Sequence, residues 1–310
     1  MKLVRGIHNI MKCHHRCMLT IGNFDSVHLG HRELLNLLRI NKYRFKIPTM
    51  VMIFEPQPLE FILGIKSPTR LYPLRDKIKK FFEYEIDYLL CVNFNNEFSS
   101  LSPNSFISKI LVNKLKIKSV IIGDDFHFGK DRTGDFYLLC KKGKQYGFHV
   151  SIFKEIQRNG ERVSSTSIRK ALSNGNLLMA ENLMGHPYKL SGKVVYGKQF
   201  GRTIGFPTAN IFLRNITIPL NGVYIVNVYG ILKEKSLQAI ANIGIRPTFN
   251  GDKQRIEVHL IDVRMNIYGM NIDILFRKKL RNEIKFSSIE NLVKQILKDI
   301  DETKKFFRSN

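Results

Sequence analysis

The stretch Gly22-Asn23-Phe24-Asp25-Ser26-Val27-His28-Leu29-Gly30-His31 joins an apolar run at residues 17–21 to a segment, 33–38, whose apolar residues recur at helical spacing. Glycine at position 22 lets the chain turn, so these residues read as the link between a buried strand and a helix. His28 and His31 then fall near the helix start. There the first backbone N–H groups lack intrahelical partners and the helix dipole is positive, so an anion is drawn in before any side chain acts. An imidazole N–H aimed at phosphate oxygens adds stabilisation where charge develops in a transition state, about 2–4 kcal/mol per donor. The plain alternative is a pair of solvated turn histidines. The pattern points to chemistry on nucleotide phosphates.

Working outward, strand-like runs at 49–54, 88–92, 119–123 and 148–153 alternate with helical patterns at 75–84, 103–115, 137–146 and 167–173. Such alternation predicts a parallel sheet with helices on its faces, which binds ligands beyond the carboxyl ends of its strands. Three loops follow strands in that position: residues 22–31, Glu55-Pro56-Gln57-Pro58, and GDDFHFG at 123–129. They are expected to meet in one crevice. Helical texture fades after residues 179–183, and short β-type runs follow at 189–195, 222–229, 238–243, 255–260 and 270–276, with turn residues such as Asn250-Gly251 between them. This spacing predicts an antiparallel barrel. In the tail, 288–307, Ile289, Leu292, Val293, Ile296, Leu297 and Ile300 share one helical stripe, which predicts a helix packed on that barrel. The fold class expected is therefore α/β plus all-β, with a boundary near Gly185 between domains 1–184 and 185–310.

A chain of 310 residues has room for two ordinary cores. No apolar run approaches the roughly 18 residues that span a bilayer, and the opening MKLVRGIHNIMKCHH has no sustained apolar segment, so no membrane partner and a cytoplasmic location are expected. Cys13, Cys17, Cys91 and Cys140 show no disulfide-framework spacing. The run Cys13-His14-His15-Arg16-Cys17 gathers soft metal ligands, but Cys17 enters the first strand and no second half-site follows, so no metal site is expected there. The formal charge of +24 attracts nucleic acid or nucleotides in principle. Basic residues are nevertheless spread along the whole chain, and none of their runs is interleaved with stacking aromatics, so no nucleic-acid partner is expected. Oligomeric state is not legible.

Nine motifs stand in order: GNFDSVHLGH at 22–31, FEPQP at 54–58, RLYPLRDK at 70–77, GDDFHFG at 123–129, VSSTSIR at 163–169, GRTIGFPTAN at 201–210, GVY at 222–224, ANIGIRPTF at 241–249 and IEVHLID at 256–262. Together the chain closely resembles the bifunctional prokaryotic riboflavin kinase/FAD synthetase family. That resemblance implies a Rossmann-like HxGH nucleotidyltransferase domain followed by a flavokinase barrel with a C-terminal helix. It implies two Mg²⁺-dependent reactions: riboflavin and ATP give FMN and ADP in the second domain, then FMN and ATP give FAD and pyrophosphate in the first.

The same resemblance implies roles for residues. His28 and His31 are the catalytic pair at the ATP phosphates, with Gly22, Phe24, Asp25 and Gly30 around them. Ser164, Ser165, Thr166 and Arg169 bind phosphate at a second helix start, where N-capping is the plain role for such hydroxyls. Pro56, Asp125 and Phe126 are placed at the flavin, although a simple turn also explains the Gly-Asp-Asp run. Gly205 and Pro207 are placed at the kinase ATP, Thr208 and Asn210 at Mg²⁺, and Glu257 as the catalytic base. Ser26 departs from the family, which usually has glycine there. If position 26 needs a positive φ, serine costs on the order of 1 kcal/mol.

The chemistry of the nucleophiles supports this division. FMN's phosphate oxygen is already anionic, so adenylyl transfer needs positioning and charge neutralisation rather than a strong base. Riboflavin's 5′-hydroxyl is neutral and must lose a proton, for which a carboxylate is the expected acceptor. Glu257 lies in the run 255–260, where its plain alternative is an exposed strand residue balancing Arg255. The chain holds no GxxxxGK[ST] loop, which excludes a P-loop kinase. Thr208 and Asn210, two apart in an extended segment, point to one side and suit a Mg²⁺–phosphate cluster, whereas a hydrogen-bonded turn is their plain reading. A competing class is a basic RNA-associated protein built on the HxGH fold, but GFPTAN followed by IEVHL has no purpose there. A third reading, that one half serves only as a binding platform, rests on Ser26 alone.

Overall fold

The computed structural model describes residues 1–158, 160–197, 199–213, 216–246 and 253–309. It divides into two compact units: residues 1–68 with 77–163, and residues 69–76 with 164–310.

The first unit is built on a six-stranded parallel sheet: β1 (Lys2–Arg5), β2 (Met18–Ile21), β3 (Thr49–Phe54), β4 (Tyr88–Val92), β5 (Ser119–Gly123) and β6 (His149–Phe153), in the order β1-β4-β3-β2-β5-β6. Every residue of β2 and the first five of β3 are buried. This is why these strands read as continuous apolar runs rather than alternating ones, since helices cover both faces of such a sheet. The chain winds from β2 through β3 to β4, then returns past β2 to β5 and β6. The reversal lies between β2 and β5, and a doubly wound sheet opens its ligand crevice at that point. Helix α1 (Leu29–Phe45) buries Leu34, Leu35 and Leu38, one apolar stripe, and closes on a left-handed Lys46. α2 (Pro58–Leu63) follows β3, and α3 (Leu74–Glu83) follows it. The helix expected over 103–115 differs in pitch: one α-turn, Pro103–Ser105, gives way to a wider π-type winding over Phe106–Lys114. Its buried residues Phe106, Ile107, Ile110 and Leu111 share a face at either pitch, so apolar spacing cannot separate the two. After β5, α4 (Phe136–Tyr146) leads to β6, and a small hairpin of β7 (Gln157–Arg158) and β8 (Glu161–Arg162) ends the unit.

The second unit opens with α5 (Ser165–Ser173) and α6 (Leu177–Met184), then forms a closed barrel. Its strands are β9 (Lys189–Val195), β10 (Ala209–Phe212), β11 (Gly222–Leu232), β12 (Lys235–Arg246), β13 (Lys253–Leu260) and β14 (Asn271–Arg281), in the order β10-β13-β12-β11-β14-β9. Along β13, Ile256, Val258 and Leu260 are buried while Glu257 and His259 are only half-buried, the alternation of a barrel wall. Helix α7 (Ile289–Ser309) contributes Ile300 to a cluster with Val223, Ile240, Ile261 and Leu280. It is pinned by a fork: Arg281 Nε donates to Asp299 Oδ1 at 3.0 Å and Nη2 to Oδ2 at 2.7 Å, with Gln295 Nε2 adding a third donor at 2.8 Å.

Residues 69–76, the body of the RLYPLRDK motif, pack with the barrel. Arg70 N–H donates to Thr217 O at 2.9 Å, Tyr188 Oη to Leu71 O at 2.9 Å, and Ser191 N–H to Asp76 Oδ2 at 2.9 Å, while the rings of Tyr72 and Tyr188 stack at 5.8 Å. The expected boundary near Gly185 thus falls inside the second unit, after α6. Strands β1 and β10 were not expected from the pattern, being only four residues each. The Asn250-Gly251 turn lies outside the described residues, as do Pro247 to Phe249 of the ANIGIRPTF motif.

Candidate active sites

In the first unit the decisive loop leaves β2 beside the switch point. His28 is the N-cap of α1, and its Nδ1 accepts the N–H of His31 at 3.3 Å. A neutral ring that accepts at Nδ1 carries its proton on Nε2, which leaves Nε2–H as a donor at the helix N-terminus. The two imidazoles stack at 3.7 Å, 16° from parallel, and Phe24 packs on His31 at 4.7 Å. Gly30 makes this possible, because a Cβ there would stand 3.3 Å from the His28 ring. Burial pushes the His28 imidazole down to about 4. Burial, with His28 and Lys77 as neighbouring charges, holds His31 well below the ordinary value. Both rings are therefore neutral donors at neutral pH, and His31 Nδ1 is buried without a partner.

Asp25 is 2 % exposed and accepts from Gln57 Nε2 at 2.8 Å, tying the first loop to the FEPQP loop that carries Pro56. Gly22 keeps space for the Phe24 ring, which a Cβ would meet at 3.2 Å. The condition set for Ser26 is not met: the left-handed residues of this loop are Phe24 (φ 47°) and Val27 (φ 45°), so serine at 26 carries no such strain. The third loop leaves β5, the other neighbour of β2. Its Asp125 faces solvent and pairs with Arg162 of β8 at 3.0 Å, an Arg that also pairs with Glu155. Phe126 stacks on Phe128 at 5.6 Å. Two residues that the sequence reading left without a role belong to this site: Gln57, and Lys77, whose Nζ donates to Asn23 O at 3.1 Å. The run from Cys13 to Cys17 separates, with Cys17 buried in the core, Cys13 exposed, and His14 accepting from Met11 N–H at 2.9 Å and set edge-on to Tyr88.

In the second unit Ser164 caps α5, its Oγ accepting from Ser167 N–H at 3.1 Å, so the capping role is filled. Ser165 and Thr166 form the first turn behind it, and Arg169 Nε donates to Thr69 O at 2.6 Å. Around the barrel, β10 runs between β9 and β13, and strand register sets Asn210 directly opposite Glu257, with Asn242 of β12 opposite Glu257 on its other side. Facing residues of paired strands share a face, so a carboxylate stands between two carboxamides. Gly205 takes φ 91°, the turn that delivers Pro207 and Thr208 to the start of β10, and His259 Nδ1 lies 2.8 Å from Pro207 O. Asn210 rests against Gly197, where a Cβ would lie 2.1 Å from its Nδ2. Asn242, whose Oδ1 is buried without a partner, lies in the ANIGIRPTF motif, and only register shows that it faces Glu257. The oxygen donors Thr208, Asn210 and Glu257 are of the hard type that suits Mg²⁺.

Comparison with known proteins agrees in both units. The FAD synthetase family model matches residues 10–167 and the riboflavin kinase model residues 184–307. This chain belongs to the bifunctional riboflavin kinase/FMN adenylyltransferase family. Curated members from Escherichia coli (strain K12), 49% identical over 99% of this chain and 98% of that protein, and from Haemophilus influenzae, 45% identical over the full length of both, carry that description. A solved structure described as a macrolide-efflux protein from Streptococcus pneumoniae is similar at TM-score 0.79 and 27% identity, covering 98% of this chain and 99% of its own. Among the described residues no helix is long and apolar enough to cross a membrane. Nothing in these matches supports the RNA-associated alternative. This member of the riboflavin kinase/FMN adenylyltransferase family carries both matched domains in one chain.

Proposed function

We propose that this chain makes FAD in two steps, phosphorylating riboflavin with ATP and then adenylylating the FMN formed with a second ATP. The observation that carries the reading is that each matched half brings its own phosphate geometry: an imidazole pair on a helix N-terminus in one, a carboxylate in register with a carboxamide in the other. Phosphorylation is assigned to the chain beyond Gly185 and adenylylation to the chain before it, with residues 69–76 and α5–α6 packed into the barrel's unit.

In the kinase step Glu257 takes the proton from the 5′-hydroxyl as that oxygen attacks the γ-phosphorus and ADP leaves. Thr208 and Asn210 would hold Mg²⁺, which when bound neutralises charge on the ATP phosphates. Gly205 and Pro207 shape the turn that carries them. In the adenylyl step the FMN phosphate oxygen attacks the α-phosphorus and pyrophosphate leaves. His28 Nε2–H, the His31 ring and the free N–H groups of α1 donate to the oxygens on which charge develops. Asp25, Phe24, Gly22 and Gly30 hold that constellation in place, and Pro56, Asp125 and Phe126 receive the flavin; Ser164, Ser165, Thr166 and Arg169 are assigned to phosphate binding from the family resemblance alone. A cytoplasmic location fits the four free cysteines.

Incubation of the full chain with riboflavin, ATP and Mg²⁺, with flavins separated over time, should show FMN rising first and FAD following. Formation of neither flavin nucleotide would end this reading.

A further inference from the structure

Three neighbouring strands of the barrel set Asn210, Glu257 and Asn242 in one row, β10 beside β13 beside β12. Facing positions on paired strands hold their Cβ atoms about 4.5–5.5 Å apart, so each side chain is within reach of the next. The row then turns apolar. Val223 of β11, opposite Asn242 on its far side, packs in the buried cluster that takes Ile300 from α7. Asn242 is half-buried, and among the described residues its Oδ1 has no hydrogen-bond donor. A buried acceptor left in that state is costly, whereas leucine offers nearly the same shape at no such cost. An acceptor kept at this position calls for a donor from outside the row.

Phosphoryl transfer runs in line, with the attacking and leaving oxygens on opposite sides of the phosphorus. Asn210, read as facing the ATP phosphates, lies on the β10 side of Glu257. Glu257 is read as the base at the attacking 5′-hydroxyl, so the rest of the alcohol extends to the other side, over β12. Asn242 is the next polar side chain there. Riboflavin carries its reacting hydroxyl at the end of a chain whose neighbouring carbons also bear hydroxyls, and each of these is an O–H donor.

We infer that Asn242 recognises the polyhydroxyl chain of the alcohol substrate, its carboxamide oxygen accepting from a hydroxyl beside the reacting one and so holding the 5′-oxygen at Glu257. The inference rests on the reading of Glu257 as the base of the kinase step. A site that hydrogen-bonds a substrate hydroxyl discriminates against an analogue lacking it, because the protein group is then left unpaired.

The test compares two substrates on the full chain: riboflavin, and a flavin whose side chain is 5-hydroxypentyl, which keeps the terminal hydroxyl and lacks the others. The unaltered chain should phosphorylate riboflavin with a kcat/KM higher by about 10–10²-fold. In Asn242→Leu and in Asn242→Ala that preference should shrink by about 10-fold through loss of riboflavin turnover, with adenylylation of supplied FMN unchanged. The thermal midpoint of Asn242→Leu should equal or exceed that of the unaltered chain. The preference is a ratio taken within one preparation, so a partly unfolded variant does not disturb it. An unchanged ratio in both variants, whether both substrates react normally or both are lost equally, would overturn the inference. If Glu257→Gln retains near-normal phosphorylation, the reading of Glu257 fails and takes the inference with it. If Glu257→Gln abolishes phosphorylation while Asn242→Leu keeps the preference, only the role of Asn242 is lost.

Discussion

The first unit sets buried, uncharged rings at a helix N-terminus, and the second sets a half-buried glutamate in its barrel wall, each proposed above to act on phosphate. His28 and His31 are stacked, packed against Phe24 and stripped of water, so they are kept neutral. Glu257 stands half-buried between Asn210 and Asn242 on the barrel wall. The contrast follows the nucleophiles. An FMN phosphate arrives already anionic and asks only for donors, whereas a riboflavin hydroxyl must surrender a proton. On the proposed reading, one chain carries a site with no base and a site built on one.

The sharpest way to break this comparison is Glu257→Gln, which keeps size and removes the proton acceptor. Riboflavin phosphorylation should fall by roughly 10²–10⁴-fold while adenylylation of supplied FMN survives. Near-normal kinase turnover would reduce Glu257 to a strand residue. Next is His31→Ala or His28→Ala, expected to cost adenylylation about 10²–10³-fold per lost donor with FMN formation nearly intact. Equal loss of both activities would mean one shared site rather than two.

The neutrality of the histidines makes a prediction for stability. A His28 pKa lowered to about 4 from 6.5 means that the unfolded chain binds the proton first, so stability is whole above about pH 6.5 and is lost as pH falls towards 4. The loss from this group is on the order of 3 kcal/mol at the acid end. It should be smaller in His28→Gln, and unfolding curves of the two proteins that stay parallel between pH 7 and 4 would contradict the burial argument. The smallest effect concerns residues 69–76. Asp76→Ala removes the acceptor of the buried Ser191 N–H and should cost about 1–3 kcal/mol. An unchanged unfolding midpoint would show that the segment contributes little to the barrel.

How much of this was legible in the sequence differs by residue. His28 and His31 could be placed on a helix start because glycine, an apolar run and helical spacing all lie within a few positions of them. Glu257 could be named from its motif, but not its neighbours: Asn210 and Asn242 are distant in sequence and meet it only through strand register. Lys77 was visible as part of RLYPLRDK and looked like one more basic residue in a chain rich in them. Its full burial has no local signature. The same motif concealed that residues 69–76 pack with the barrel, because the pattern around them continues the alternation of the first unit without a break.

By itself the sequence determined the order of most strands and helices, the parallel and antiparallel halves, the absence of a P-loop, and the two clusters of motifs. These depend on periodicity and turn chemistry, which act over a few residues and are written where they act. Tertiary structure alone decided which carboxamides flank Glu257, that Phe24 and Val27 rather than Ser26 take the left-handed backbone, that both imidazoles are neutral, and which unit holds residues 69–76. Register, burial and desolvation are set by what the rest of the chain packs against a residue, and no window of neighbouring residues contains that information.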